Sequence, residues 1–264
     1  MMLSAGTGTP IRAQSSSTPR MFSRWYVESL GDIQELEANG VETLERRLAA
    51  NPDDIQARLK LMAYHQRGDR RGRLEDRGKR IQHALWLIEH HPNSELLHSP
   101  VSRFAPGELS EADERRAIAL WKSATQAQPA NATILWNAAS FFNGRNPDLY
   151  LQYLEAAAAA DPNHPFALRP LAYLYANSIL GGGRSAARSM AALEASGNAW
   201  GLGNAANFLQ NHYNRLLQNG TPNPRLAELA ERYFRRAQTL DPNSDRKAIL
   251  PQVESLAQQC GATI

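Results

Sequence analysis

The chain has 264 residues, of which 42% are apolar and 21% are charged, and its formal net charge at pH 7 is only +3. That much apolar surface can bury a substantial core, which excludes an intrinsically disordered chain. The small charge excess argues against a nucleic-acid partner, because such proteins usually carry a larger, clustered positive charge. The single cysteine, Cys260, excludes an internal disulfide and a thiolate metal cluster. No apolar run approaches the roughly 20 residues that span a bilayer, so we expect no membrane span.

Residues 1–20 are rich in Ser, Thr, Gly and Pro and show no periodic apolar pattern, which predicts a disordered tail. The segment 9–14 (Thr-Pro-Ile-Arg-Ala-Gln) also resembles the end of a secretory signal with cleavage after Ala13, although the basic and apolar regions of such a signal are missing. Two alternatives stay open. The protein is cytoplasmic with a flexible tail, or it is exported or periplasmic because the true start lies upstream. Residues 21–264 are predicted to form one helical domain.

From Trp25 onward helix-forming composition dominates, and alternating β-branched runs bounded by hairpin turns are almost absent. Turns that contain proline recur at intervals of 40, 37, 33 and 80 residues. Their prolines are Pro52, Pro92, Pro129, Pro162 and Pro242. The last interval is two units of 40, and the Ser-Gly-Asn sequence at 196–198 supplies the missing boundary. A period of 33 to 40 residues predicts stacked helical hairpins.

Each unit contains one helix after its proline turn and a second helix that leads back to the next turn. Apolar residues follow Pro129 and Pro162 with the i, i+3, i+4, i+7 spacing of one helical face. These residues are Leu135, Ala138, Ala139 and Phe142 in one unit, and Leu168, Leu171, Ala172 and Tyr175 in the next. Return helices are predicted over 149–160, 186–196 and 225–240. Clusters of Asn, Gly and Pro predict the breaks within hairpins at 143–147, 181–183 and 219–224.

A four-residue pattern occurs twice with the same spacing. It consists of Ala117, Trp121, Ala124 and Pro129 in the first copy, and of Ala230, Phe234, Ala237 and Pro242 in the second. Two small residues allow neighbouring helices to approach closely, the aromatic residue fills the space between them, and proline ends the helix. Such a recurring unit indicates an array of stacked units instead of a single central core.

These residues resemble the tetratricopeptide repeat family, best over about 117–242. Residues 227–243 form a near-complete second helix of such a unit, and residues 199–205 are similar to a first helix with one residue deleted. Before residue 100 the resemblance weakens, and the corresponding positions of the Pro92 unit carry Arg80, Ala84 and Leu87. The resemblance implies an all-α fold, a superhelical α-solenoid of about five to six antiparallel hairpins whose first units are divergent.

The resemblance also implies a function, because first helices in this family line a concave groove that binds proteins or peptides. The polar and aromatic residues at the matching positions are Lys60, Asn137, Ser140, Asn143, Arg169, Tyr173, Asn177 and Asn204. Asn137 aligns with an asparagine that the family often uses to hold a ligand's backbone or terminal carboxylate. Lys60 and Arg169 could supply charge for an acidic or C-terminal group. The alternative is that these are ordinary solvent-facing residues.

The sequence thus predicts a non-catalytic scaffold that binds a protein or peptide without a cofactor. An enzyme, or an enzyme subunit resembling the helical-hairpin half of prenyltransferases, is the main alternative, and a structural spacer in a larger assembly is another. Ser/His/Asp, Cys/His and paired-carboxylate patterns with helical spacing are absent from the sequence, which argues against catalysis. His90, His91 and His98 cluster near a helix end but lack the spacing of metal ligands, so we expect no metal site.

Two further sequence features have ordinary explanations. Residues 67–80 contain seven basic and three acidic residues without interleaved aromatic residues, which favours a salt-bridged loop and helix start over a phosphate-binding patch. The glycines at 181–183 lack a preceding strand and a following Lys-Ser/Thr, so they predict a hairpin turn and no phosphate loop. Of the tryptophans, Trp86 and Trp121 are expected in the core, whereas Trp136 and Trp200 are placed on first helices.

Overall fold

The structure, a computed structural model, describes residues 38–164 and 166–242, and these contain ten α-helices and one 3-10 helix but no β-strand. The all-α prediction is therefore confirmed for this part of the chain. The helices are α1 Ala38–Ala50, α2 Ile55–Arg70, α3 Leu74–His90, the 3-10 helix Glu95–His98, α4 Glu111–Ala127, α5 Ala132–Phe142, α6 Pro147–Ala160, α7 Leu168–Gly181, α8 Gly183–Ala195, α9 Ala199–Gln218 and α10 Pro224–Leu240. The predicted tail at 1–20 and Cys260 lie outside the described residues.

Helices that follow each other in the chain pack against each other. Within the described residues, four pairs joined by short turns form hairpins: α2 with α3, α5 with α6, α7 with α8, and α9 with α10. We call the first member of each pair a first helix and the second member a second helix. The first helices α7 and α9 also contact each other directly, although α8 lies between them in the sequence. These contacts are local in sequence, and the superhelical arrangement of the units stays a prediction.

Three of the first helices, α2, α5 and α9, begin in the same way. The side chains of Asp54, Asn131 and Asn198 each accept a hydrogen bond from the backbone N–H three residues later, at distances of 2.7–3.2 Å. Such caps satisfy one of the N–H groups that have no partner inside the helix. Asp54 and Asn131 follow proline turns, each of which thus ends one helix and starts the next. Asn198 belongs to the Ser-Gly-Asn boundary without proline that the sequence predicts.

The unit that begins at Pro92 departs from this plan. Its first helix is replaced by the short 3-10 helix, which contacts α3 and α5, and by the irregular segment 99–110. The unit's second helix, α4, is regular. The sequence predicts divergence in both units before residue 100, but α2 and α3 form an ordinary hairpin and the divergence is concentrated in 91–110.

The predicted breaks within hairpins are confirmed. The helices α5 and α6 are separated by residues 143–146, α9 and α10 by residues 219–223, and α7 and α8 by Gly182 alone. Gly182 and Gly183 have φ angles of 76° and 74°. Side chains with a Cβ rarely adopt such angles, so glycine is required for the abrupt change of direction there.

The hydrophobic core consists of segments that follow one another along the chain. Within the described residues a first large cluster runs from Leu59 to Leu171, a second from Ala172 to Ala237, and a small one joins α1 to α2. Alanines and aromatics of the repeated pattern are buried as predicted, with Ala124 only partly so. The buried members are Ala117, Trp121, Ala230, Phe234 and Ala237. No helix in the described part of the chain is both long and apolar enough to cross a membrane.

Candidate functional site

Three of the eight predicted groove residues lie together on one helix. Arg169, Tyr173 and Asn177 follow each other at intervals of four residues along α7, and all three side chains are exposed. Residues four apart lie on the same helical face, so the three form a continuous row, the α7 row. The Asn177 amide donates to the Tyr173 carbonyl oxygen at 3.0 Å, which fixes its side chain along the helix.

The α7 row continues onto α9 through an aromatic contact. The Tyr173 ring, 49% exposed, meets the Phe208 ring edge-to-face at a centroid distance of 4.8 Å. Trp200, near the start of α9, is 43% exposed. Large exposed aromatic side chains are uncommon on a protein surface without a partner, because their burial is favourable. The sequence places Trp200 on a first helix, but Phe208 was not among the predicted residues.

The charge of the first helices α5, α7 and α9 differs from that of the second helices that follow them. The sequences of α5, α7 and α9 contain no Asp or Glu, whereas the second helices α6, α8 and α10 each contain acidic residues. Arg169 and Arg215 are the cations of this acid-free set. The surface along α7 and α9 is therefore suited to ligands with anionic or hydrogen-bond-accepting groups.

Asn137, the predicted ligand-holding asparagine, contacts its own chain. It is 2% exposed, and its Nδ2 donates to the carbonyl oxygens of Pro92 and Ser94 at 2.7 and 3.2 Å. In this structure Asn137 ties α5 to the Pro92 turn of the preceding unit, and its side chain is not exposed to solvent.

The remaining predicted groove residues are dispersed over the first helices. Asn204 is 8% exposed and donates to the Trp200 carbonyl oxygen at 2.8 Å, so its amide belongs to the α9 backbone network. Lys60 on α2 is half-buried, and Ser140 on α5 is also half-buried. Asn143, which ends α5, is exposed. These four side chains do not join the α7 row.

A cavity of about 470 Å³ occupies the place of the missing first helix in the Pro92 unit. It lies between α3, α4, α5 and the segment 97–109, and its buried wall is mainly apolar. The predicted residues Asn137, Ser140 and Asn143 all line it. The sequence suggests these residues but not the cavity, since its existence depends on an absent helix.

Two arginines fasten the irregular segment beside this cavity. Arg80 is 4% exposed, and its Nη1 lies 3.3 Å from the carbonyl oxygens of Val101 and Arg103. Arg145 donates to the carbonyl oxygens of Phe104 and Ala105, both at 2.9 Å. A guanidinium group has five donors, so one side chain can satisfy several carbonyl groups of a segment that lacks helical hydrogen bonds.

Both arginines are also ion-paired. Arg80 pairs with Asp69 at 2.7 Å, and Asp69 pairs with Arg77 at the same distance. Arg145 pairs with Glu114 at 3.1 Å. Hydrogen bonds from Arg77 and Arg80 outweigh burial and hold the pKa of Asp69 below its usual value. The basic stretch at 67–80 is salt-bridged, as the sequence predicts.

A buried polar network between α2 and α3 was not predicted. Arg58 is 6% exposed and donates to the Pro52 carbonyl oxygen at 2.7 Å, while its guanidinium carbon lies 3.4 Å from the centre of the Trp86 ring. Its Nη1 lies 3.2 Å from Nδ1 of His83. Burial lowers the His83 pKa to about 4, and Arg58 acts in the same direction, so the neutral ring accepts this hydrogen bond.

The same network contains a histidine–aspartate pair. His65 Nδ1 lies 2.6 Å from Asp76 Oδ1, and the two residues are 2% and 8% exposed. The sequence contains a signal for this network. Arg58 and His65 lie four and eleven positions after Asp54, the residue that caps α2. At the equivalent positions the other first helices, α5, α7 and α9, have Leu, Phe or Tyr. Polar residues at core positions of a repeat could therefore have identified it.

Two of the three histidines that cluster in sequence, His90 and His91, both pack against Trp86, at centroid distances of 4.6 and 5.2 Å. His91 also lies 3.2 Å from Asp53, whereas His98 stacks on Trp136 at a centroid distance of 4.9 Å. Burial lowers the His98 pKa to about 4. Among the described residues, no three His, Cys, Asp or Glu groups lie close enough to hold a metal ion.

No model of a known protein family matches the chain, and no curated protein is significantly similar to it. The resemblance to tetratricopeptide repeats therefore depends on the residues and spacings of this sequence.

Proposed function

We propose that the chain is a non-catalytic scaffold of the tetratricopeptide-like solenoid type that binds an extended peptide or protein segment across α7 and α9. The α7 row carries the proposal, because Arg169, Tyr173 and Asn177 are exposed in one line and continue through Phe208 to the next first helix. Aromatic and arginine side chains contribute most to many interfaces, and amide side chains can hold a peptide backbone.

The chemistry of the partner follows from charge and from the aromatic residues. An acid-free surface with Arg169 favours a segment with acidic side chains or another anionic group. The half-exposed Tyr173 and Trp200 offer apolar surface to the same segment. We therefore propose a partner that combines acidic residues with aromatic or aliphatic ones.

The absence of catalysis belongs to the same proposal and is supported by how the cavity is lined. Its ionisable lining groups, within the described residues, are four arginines and Glu108. Arg80 and Arg145 bind carbonyl groups and carboxylates, and Glu108 accepts a hydrogen bond from the Ala105 N–H at 2.7 Å. General acid–base catalysis usually uses a positioned pair of proton-exchanging groups, and among the described lining residues no His, Cys, Asp or Lys accompanies the one carboxylate.

Selection from a random peptide library by the full chain tests the proposal. We expect enriched peptides that contain acidic and aromatic residues, and synthetic copies should bind in calorimetry. The double variant Arg169→Ala/Tyr173→Ala should weaken their binding by about tenfold or more. It should leave the melting temperature nearly unchanged, because both side chains are exposed.

Arg188→Ala is the matched control. Arg188 is an exposed arginine of the second helix α8, 68% exposed at its side chain and paired with Glu155 at 2.8 Å. Its removal should leave peptide affinity unchanged. Peptides that bind the double variant and the parent equally would refute the α7 row as the binding surface. A failure to enrich any peptide would refute peptide binding and favour a spacer.

A further inference from the structure

We propose that His164 is a pH switch at the start of α7, whose neutral ring holds the α7 row in place and whose protonation loosens the row and weakens peptide binding. The effect on binding rests on the proposed function. The switch itself is defined by hydrogen bonds between described residues, and its opening is measured with no peptide present.

The His164 ring accepts a backbone hydrogen bond immediately before α7. Its Nδ1 lies 3.2 Å from the Ala167 nitrogen, and His164 is 5% exposed. The Ala167 carbonyl oxygen in turn accepts the first hydrogen bond of the helix, from the Leu171 N–H at 3.3 Å. A ring nitrogen accepts only while it carries no proton, so this arrangement requires a neutral ring with its proton on Nε2.

Protonation of Nδ1 disfavours the start of α7 in two ways. It replaces the acceptor with a second donor, so the buried Ala167 N–H loses its partner. It also places a positive charge beside the N-terminus of α7, where the helix dipole disfavours cations. Arg169, the first member of the α7 row, lies in the helical turn that both effects weaken.

The surroundings of the His164 ring favour its neutral form. Trp136 and Phe166 pack against it, each at a centroid distance of 6.2 Å, and burial lowers the pKa of His164 below its ordinary value. Two titratable groups act on the ring. Asp161, in the same turn, raises the His164 pKa, whereas His98 on the 3-10 helix would repel the charged ring if both were protonated.

The turn that contains His164 also contacts the start of α9. Asn198 Nδ2 lies 2.5 Å from the Pro162 carbonyl oxygen, and Asn198 Oδ1 accepts a hydrogen bond from the Gly201 N–H at 2.7 Å. Asn198 does not titrate, so this contact is not itself pH-dependent. Because the turn joins the starts of α7 and α9, its loosening should also change the position of Trp200 relative to the α7 row.

The other first helices use acceptors that do not titrate with histidine. Asn131 and Asn198 accept with amide oxygens, and Asp54 accepts with a carboxylate. The hydrogen bond from the Ala57 N–H is the main cause that holds the pKa of Asp54 below its usual value. These three acceptors therefore persist over the pH range in which histidine is protonated, and acid acts on the start of α7 through His164.

Amide hydrogen exchange of the full chain between about pH 7.5 and about pH 5 tests the switch. Protection factors correct for the intrinsic pH dependence of exchange. An opened turn frees a ring whose ordinary pKa is about 6.5, so the open state binds protons more readily and opening increases as the pH falls below that value. We expect Ala167 and the first amides of α7 to lose protection by about tenfold.

Three variants separate the role of His164 from general effects of acid. His164→Asn keeps a side-chain acceptor that does not titrate, so the protection of Ala167 should stay constant with pH. His164→Ala removes the acceptor and should give low protection at every pH. His90→Asn removes an exposed histidine of α3 and is the matched control, which should behave like the parent. Protection at Ala167 that stays flat in the parent, or falls equally in His164→Asn, would overturn the switch.

Calorimetry with the tightest-binding synthetic peptide from the library selection tests the link to the α7 row. Affinity should fall by about tenfold over the same pH range for the parent and for His90→Asn, and by less than about twofold for His164→Asn. Carboxylates of the peptide titrate alike with every variant, so the difference isolates His164. An equal fall for the parent and His164→Asn would overturn the regulation of binding. A chain that binds no peptide refutes the proposed function, whereas a flat exchange profile refutes the switch, so the two failures are distinct.

Discussion

Nδ2 of Asn137 lies 2.7 Å from the carbonyl oxygen of Pro92, a residue 45 positions earlier in the chain. The same amide nitrogen lies 3.2 Å from the Ser94 carbonyl oxygen. A comparable bond recurs two units later, where Asn198 Nδ2 lies 2.5 Å from the Pro162 carbonyl oxygen. Asparagines of the first helices thus fasten the proline turns that precede them, and this changes what a mutation of Asn137 should do.

Asn137→Ala should destabilise the protein by about 1–3 kcal/mol, because the carbonyl groups of Pro92 and Ser94 lose their donor in a partly buried site. Urea denaturation of the parent and the variant measures the difference. Asn143→Ala, an exposed change at the end of the same helix, is the control and should stay within about 0.5 kcal/mol of the parent. An unchanged urea midpoint for Asn137→Ala would contradict the role of Asn137 in holding the Pro92 turn. Asn137 would then again be a candidate for ligand binding.

Ala237→Leu should destabilise the protein by about 1–3 kcal/mol. Ala237 is 1% exposed, so a larger side chain must displace neighbours in the second core cluster. Ala119→Leu makes the same change at an exposed position of α4 and should have little effect. Thermal unfolding of the parent and of both variants measures the difference in stability. A variant at Ala237 that is as stable as the parent would remove the packing role of the small residues in the repeated pattern.

Stability should decrease as the pH falls from about 6.5 to about 4. Burial lowers the pKa of His83 and of His98 to about 4 in the folded protein, so the unfolded chain binds more protons in this window. Protonation of unfolded histidines therefore favours unfolding, by up to about 3 kcal/mol for each group at the acid end. The lowered pKa of Asp69 acts at lower pH, since its stabilisation is lost only as that carboxylate is protonated.

Urea denaturation at several pH values across this window measures the slope. His98→Phe keeps an aromatic ring against Trp136 and removes one histidine whose pKa burial lowers. The loss of stability should shrink but persist, because burial also lowers the pKa values of His83 and His164. At pH values above the window the parent and the variant should depend on pH in the same way. A parent whose stability is flat from about pH 6.5 to about pH 4 would contradict the neutral, buried histidines.

Arg145→Lys should loosen the segment 99–109 and destabilise the protein by about 1.5–3 kcal/mol. A lysine ammonium cannot reproduce the fork of donors that reaches Phe104, Ala105 and Glu114. Hydrogen exchange of the amides in this segment should accelerate. Arg188→Lys, at a solvent-exposed ion pair, is the control and should change neither exchange nor stability. Unaltered exchange in Arg145→Lys would show that other contacts hold the segment.

The features that the sequence predicts well have local causes. Proline turns, glycines at 181–183 and the spacing of apolar residues act within one or two helical turns, and the helices indeed begin and end there. The positions of Arg169, Tyr173 and Asn177 on one exposed face follow from helical periodicity alone. Such signals need no knowledge of which helices later become neighbours.

The features that the sequence misses depend on distant partners. Asn137 is identified correctly as a special residue of α5, but its partners lie in a turn more than forty residues away. Arg145 looks like part of a polar turn, although it binds carbonyl groups about 40 residues earlier. The cavity depends on the replacement of a helix by the segment 95–110. No local sequence pattern shows how segment 95–110 packs in the place of the missing first helix.

The boundary between the two large core clusters lies near the start of α7, where Leu171 belongs to one and the adjacent Ala172 to the other. Tyr175, one turn later, packs against both. Unfolding of α9 and α10 would therefore expose the side of α7 that belongs to the second cluster. It would also weaken the packing of α7 against α6. Local unfolding of the C-terminal helices should thus favour unfolding of the helices before α7. The two core clusters are therefore coupled through nearest-neighbour contacts of this one helix.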